Sequence, residues 1–144
     1  MAKTLVEKLG LKPGHRALVL NAPPGYVETL FPLPVGASVD TSGTGPYDLV
    51  QVFVHNRAEV AEYTPTVIQA VKPGGLLWFA YPKKTGGIKT DISRDVGWEP
   101  LRDAGWDGVT LVSLDDAWSC FRVRPLADIK TRTEFRTERN KGKE

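Results

Sequence analysis

Two short runs of mostly apolar residues, 49–54 and 76–81, stand out from the polar background of the chain. Mostly apolar runs of this length suit strands buried on both faces. Between them, Val60, Thr64, Val67, Ile68 and Val71 recur at helical spacing and mark one face of a helix. Pro65 lies off that stripe, so a kink there faces water and spares the packing. Lys72, Pro73, Gly74 and Gly75 then stop the helix, glycine through a left-handed cap and proline by opposing continuation. Two parallel strands need a crossover of about this length, so the pattern predicts a right-handed βαβ unit.

The flanking pattern is weaker and is placed around that unit. Residues 3–9 predict a short helix with Leu5, Val6 and Leu9 inward, and 16–20 a short buried strand. A tight loop over 21–26 leads into a helical segment over 26–31, which Pro32 and Pro34 end. Residues 36–40 predict a brief strand and 41–46 a Gly-rich connector. After Lys84 come a turn, a helical turn over 91–96, and a short helix with Pro100 at its first position and Gly105 at its end. Residues 109–113 and 118–123 predict an antiparallel hairpin. The fold class expected is α/β: a minimal Rossmann-like three-layer sandwich, mostly parallel, with a C-terminal antiparallel hairpin. One domain spans 1–129, and 130–144 form a charged tail, whose single large apolar residue, Phe135, cannot support a core.

Composition changes this picture little. Hydrophobic content of 41% and charged content of 25% are ordinary for a globular domain. The net charge of +2 is misleading, because 130–144 carry six Lys or Arg against three Asp or Glu, which leaves about −1 on 1–129. Composition alone therefore does not argue for a nucleic-acid-binding domain, and a nucleic-acid partner is not expected. No run reaches membrane-spanning length and residues 1–10 lack a signal-peptide core, so a cytoplasmic location is expected. Cys120 is the one cysteine and falls in a strand, where a core thiol is expected rather than a nucleophile. With His15 and His55 the only histidines, no metal-ligand spacing arises, and neither a G-x-S-x-G elbow nor a Walker loop is present.

The segment L-K-P-G-H-R-A-L-V-L-N-A-P-P-G resembles the first strand and cofactor loop of the class I S-adenosylmethionine-dependent methyltransferases. G-A-S-V-D is similar to a shortened second strand ending in an acid, Y-D-L-V-Q-V-F-V to the fourth strand, and A-V-K-P-G-G-L-L-W-F-A to the helix and fifth strand. The third strand is missing. The resemblance covers roughly residues 10–125 and implies cofactor contacts from Asn21, Ala22, Pro23, Pro24, Gly25 and Asp40. N-A-P-P-G-Y also looks like the N-P-P-Y loop of amino-group methyltransferases, with a residue inserted and after a different strand. N-A-P-P-G-Y, W-F-A-Y-P-K-K-T-G-G and D-D-A-W-S together are similar to a small bacterial family of unknown function with this architecture.

Two features steer the functional expectation. Pro23 and Pro24 each remove an N–H from the loop where a methyl donor would need donors. Beyond the carboxyl ends of the strands, His55, Arg57, Tyr81, Lys83 and Lys84 would meet and suit an anion. The expectation is a non-catalytic or vestigial methyltransferase-like domain, with no catalytic residues and no cofactor, that binds a small anionic molecule or a protein partner. The alternative is an S-adenosylmethionine-dependent methyltransferase with an atypical loop. Asp115 and Asp116, beside Trp118 and Ser119, are expected to form a turn through local side-chain bonds.

Overall fold

The computed structural model describes residues 4–84 and 87–126 of the 144-residue chain. Helix α1 (Leu5–Leu9) is short because its signals are tightly spaced. Thr4 and Glu7 form a reciprocal capping box, and Gly10 closes the helix at φ 88°. Strand β1 (Arg16–Leu20) follows, then a 3-10 turn over Val27–Leu30 in place of the expected helical segment, and strand β2 (Ser38–Asp40). Strand β3 (Tyr47–Phe53), helix α2 (Arg57–Ala70) and strand β4 (Val71–Pro82) make the βαβ unit. Helix α3 (Glu99–Asp103) leads into the hairpin of β5 (Trp106–Ser113) and β6 (Trp118–Pro125).

The six strands lie in the order β2-β1-β3-β4-β6-β5. The first four are parallel, and β6 and β5 run antiparallel. Helices α2 and α3 cover one face, where Val50, Val52, Leu77, Phe79 and Tyr81 meet Val60, Val67, Trp98 and Leu101. On the other face α1 and the 3-10 turn cover Val19, Leu49, Phe53, Trp78 and Trp118 with Val6, Leu9, Tyr26 and Leu30. This is the α/β three-layer sandwich with its antiparallel hairpin.

Helix α2 buries Val60, Thr64, Val67 and Ala70 and leaves Pro65 exposed, as its periodicity requires. Its ending differs from expectation. Val71 turns extended at φ −82°, ψ 136° and already pairs with Tyr47, so the helix stops before Lys72. Residues 72–75 then form an irregular stretch of β4, and regular pairing resumes at Leu49 with Leu76. Gly75 sits there because a Cβ would lie 3.0 Å from the Asp48 carbonyl oxygen. Residues 91–96 also depart from expectation: they make bends rather than a helical turn. Ile92 anchors them in the core, and the Trp98 indole donates to the Ser93 carbonyl at 2.7 Å. The tail 130–144 lies outside the described residues.

The return from β2 to β3 is made by residues 41–46 alone, with no helix or strand between. It succeeds by close backbone approach. A Cβ on Gly45 would come within 2.1 Å of the Ala70 carbonyl oxygen, and one on Gly43 within 2.3 Å of the Tyr47 hydroxyl. No helix among the described residues is long and apolar enough to cross a membrane.

Candidate functional site

In an open parallel sheet the strand ends on one side converge on a crevice where order reverses, here between β1 and β3. Asn21 leaves β1 in the left-handed region at φ 59°, and its Nδ2 donates to the Phe53 carbonyl at 2.8 Å. His55 leaves β3 on the neighbouring side. Its backbone N–H and its Nδ1 both donate to Glu59 Oε1, at 2.7 and 2.8 Å, and its ring meets Trp118 edge-on at 5.2 Å. Asn56 caps α2 by accepting from the Glu59 N–H at 2.9 Å. The chain's own polar groups therefore bridge the ends of β1 and β3.

The post-β1 loop separates two cavities. One, of about 420 Å3, is bounded by Asn21, Ala22, Pro23, Gly25, Glu28 and Thr41. The other, of about 430 Å3, lies between Pro23, Pro24, Gly25 and Tyr26 and the β5–β6 turn. Gly25 takes φ 83°, and Tyr26 donates its N–H back to the Pro23 carbonyl, which fixes the turn. Glu28 and Thr41 carry no motif and are missed by sequence reasoning. The position of Thr41 just after β2 was the one available signal.

Asp40 borders neither cavity. Its register partner is Leu18, two residues short of the end of β1, and its carboxylate accepts from the Tyr47 hydroxyl at 2.8 Å. Arg16 stands 3.8 Å from the same oxygen and stacks on the Tyr47 ring at 4.6 Å. The hydrogen bond to Asp40 is the main cause of a raised Tyr47 pKa. The loop N–H groups lost at Pro23 and Pro24, and an acid turned toward Tyr47, do not fit S-adenosylmethionine held by loop amides and a second-strand carboxylate.

A third cavity, of about 250 Å3, opens beyond the end of β4 on the α2–α3 face. Tyr81, Lys83 and Lys84 line it together with Ser93, Arg94 and Ser119. Lys83 Nζ donates to Ser113 Oγ at 2.6 Å, and Arg94 Nε lies 3.6 Å from Asp95. Burial, opposed by the nearby Arg94 charge, raises the Tyr81 pKa. Of the five residues expected to meet an anion, these three come together. His55 and Arg57 do not join them: His55 is bound to Glu59, and Arg57 Nη2 donates to Glu99 Oε1 at 3.0 Å. Among the described residues no group of three His, Cys, Asp or Glu side chains is placed to hold a metal ion.

No protein-family model matches the chain. Nor does any curated protein match it. Solved structures do. A methyltransferase dependent on S-adenosylmethionine from Aquifex aeolicus superposes with a TM-score of 0.60 at 13% identity, over 83% of this chain and 86% of that one. The fold is that of the S-adenosylmethionine-dependent methyltransferases. Aeropyrum pernix fibrillarin with natively bound S-adenosyl-L-methionine matches at 0.57 and 13% identity, over 79% of this chain and 68% of its own. A methyltransferase from Thiobacillus denitrificans in complex with S-adenosyl-L-homocysteine matches at 0.52 and 12% identity, over 85% and 89%. These neighbours bear out the α/β class and the methyltransferase-like fold. They lend no support to a vestigial role or to the expected lack of a cofactor, since two of them hold an S-adenosyl compound.

Proposed function

We propose that this chain binds a small anion at the carboxyl end of its sheet, on a methyltransferase scaffold, without transferring a methyl group. The observation that carries this reading is the cavity beyond β4. Lys83, Lys84 and Arg94 bring positive charge to one space of about 250 Å3, and Ser93 and Ser119 add hydroxyls. The Lys84 ammonium has no partner among the described residues. That combination suits a phosphate or carboxylate, which takes charge-assisted bonds from ammonium and guanidinium groups. Tyr81 forms the inner wall of the cavity.

Calorimetric titration with inorganic phosphate and pyrophosphate tests the reading. Saturable binding with a Kd of about 1 mM or tighter is expected. Lys84→Ala should weaken it about tenfold, and the absence of saturable heat with either anion refutes the proposal. Titration with S-adenosylmethionine should give no heat, and micromolar affinity would overturn the second half of the claim.

A second reading, S-adenosylmethionine-dependent methyl transfer, draws on the fold and on the cavity beside Asn21 and Thr41. In that reading Glu28, which lines this cavity and whose carboxylate has no partner among the described residues, would supply the carboxylate to the cofactor, since Asp40 is bound to Tyr47. Glu28→Gln would then weaken binding of S-adenosylmethionine, and an unchanged affinity removes the idea.

A further inference from the structure

The cavity of about 430 Å3 on the α1 face differs in chemistry from the anion cavity. Its walls are the rings of Pro23, Pro24, Tyr26 and Trp118, with Phe53 at its base, and Asp115 stands at its border. The aromatic surfaces are held rigidly. Tyr26 and Phe53 meet edge-to-face at 4.6 Å, and Phe53 and Trp118 at 5.0 Å. The Tyr26 hydroxyl is anchored on Gln51 Oε1 at 2.8 Å, so the ring cannot swing out to follow a ligand.

Asp115 is fixed as well. Its Oδ1 accepts from the Ala117 and Trp118 N–H groups at 2.8 and 2.9 Å, an Asx turn that holds the carboxylate beside the rings. Its Oδ2 has no partner among the described residues. The two cavities lie on opposite faces of the sheet. Ser119 is registered opposite Tyr81 on the α2–α3 face, and Trp118 belongs to the core cluster of the α1 face. A preformed space of this size with mostly apolar walls and one placed charge has the anatomy of a small-molecule site.

We infer that this cavity is a second binding site, whose ligand is a small organic cation: an ammonium group attached to a flat or apolar body. The rings of Tyr26 and Trp118 supply an apolar wall for such a body, and the Oδ2 of Asp115, without a partner among the described residues, takes the ammonium. A neutral molecule of the same shape gains only the apolar part. An anion meets Asp115 and is rejected. The site is independent of the anion cavity and does not rest on the function proposed above.

The test is a calorimetric titration of the full chain with 2-phenylethylamine and, separately, with its neutral analogue 2-phenylethanol. The amine should bind saturably, and about tenfold more tightly than the alcohol. Asp115→Asn retains the Oδ1 that accepts both turn N–H groups, so it should fold normally and lose that preference. Equal affinity for amine and alcohol, or no saturable binding of the amine, overturns the inference. Because the amine–alcohol comparison uses the unmutated chain, the test survives a variant that fails to fold.

Discussion

At the scale of single residues, the polar groups buried under the post-β1 loop set its position. Tyr26 Oη donates to Gln51 Oε1, and Gln51 Nε2 reaches Cys120 Sγ at 3.5 Å, all within the α1-face core. Gln51 is fully buried, so losing its phenolic partner leaves an amide oxygen unsatisfied. Tyr26→Phe should lower stability by about 1–3 kcal/mol, measured by urea unfolding, and an unchanged midpoint would show that water replaces the hydroxyl. Cys120 gives a second measure of this core. Burial pushes its thiol up to about 12, against the opposing bonds from Gln51 and the Phe121 backbone. Alkylation of the folded protein at pH 8 should be slower than that of the unfolded chain by on the order of a thousandfold. Comparable rates would mean that β6 opens readily. That Cys120 is a core thiol was legible from its place in an apolar run. Its hydrogen bond to Gln51 was not, because the two are 69 positions apart and only the sheet makes them neighbours.

At the scale of elements, one carboxylate gathers three strands. Asp48, at the start of β3, accepts the N–H of Arg16 at the start of β1 at 2.8 Å and pairs with Lys72 at the start of β4. The Lys72 bond first, then the Arg16 N–H, holds the Asp48 pKa below its ordinary value. A depressed carboxylate contributes stability above its unfolded pKa, roughly 4, and loses it as pH falls through the lower folded value. Thermal melts should therefore fall with pH below about 4, and Asp48→Asn should flatten that slope while lowering stability at pH 7. A slope of equal steepness in the variant would assign the acid limb to other groups. The periodicity of α2 and the apolar runs of β3 and β4 made the βαβ unit readable. Residues 91–96 were misread as a helical turn because their conformation is set by tertiary contacts. Ile92 and the Trp98 ring bury themselves among Phe79, Tyr81 and Phe121, and no local signal encodes that. Trp98→Ala should cost about 3–5 kcal/mol, read from the shift in urea midpoint.

At the scale of the whole molecule, the sheet keeps the two proposed sites on separate faces, with no residue in common between their linings. Phosphate and 2-phenylethylamine should therefore raise the melting temperature additively, as ligands of uncoupled sites do. A combined shift clearly smaller than the sum would mean that binding on one face disturbs the other. The sequence by itself determined which runs are strands and which stretch is the crossover helix, because periodicity and burial are local properties of the chain. It also determined that the post-β1 loop has no N–H at Pro23 or Pro24, which follows from proline's covalent structure. Only the tertiary structure decided where the candidate groups ended up. Asp40 turned toward Tyr47 and Arg16, His55 and Arg57 were taken by neighbouring acids, and Tyr81, Lys83 and Lys84 joined Ser93, Arg94 and Ser119. Those outcomes depend on strand register and on partners far away in sequence, which no local pattern records.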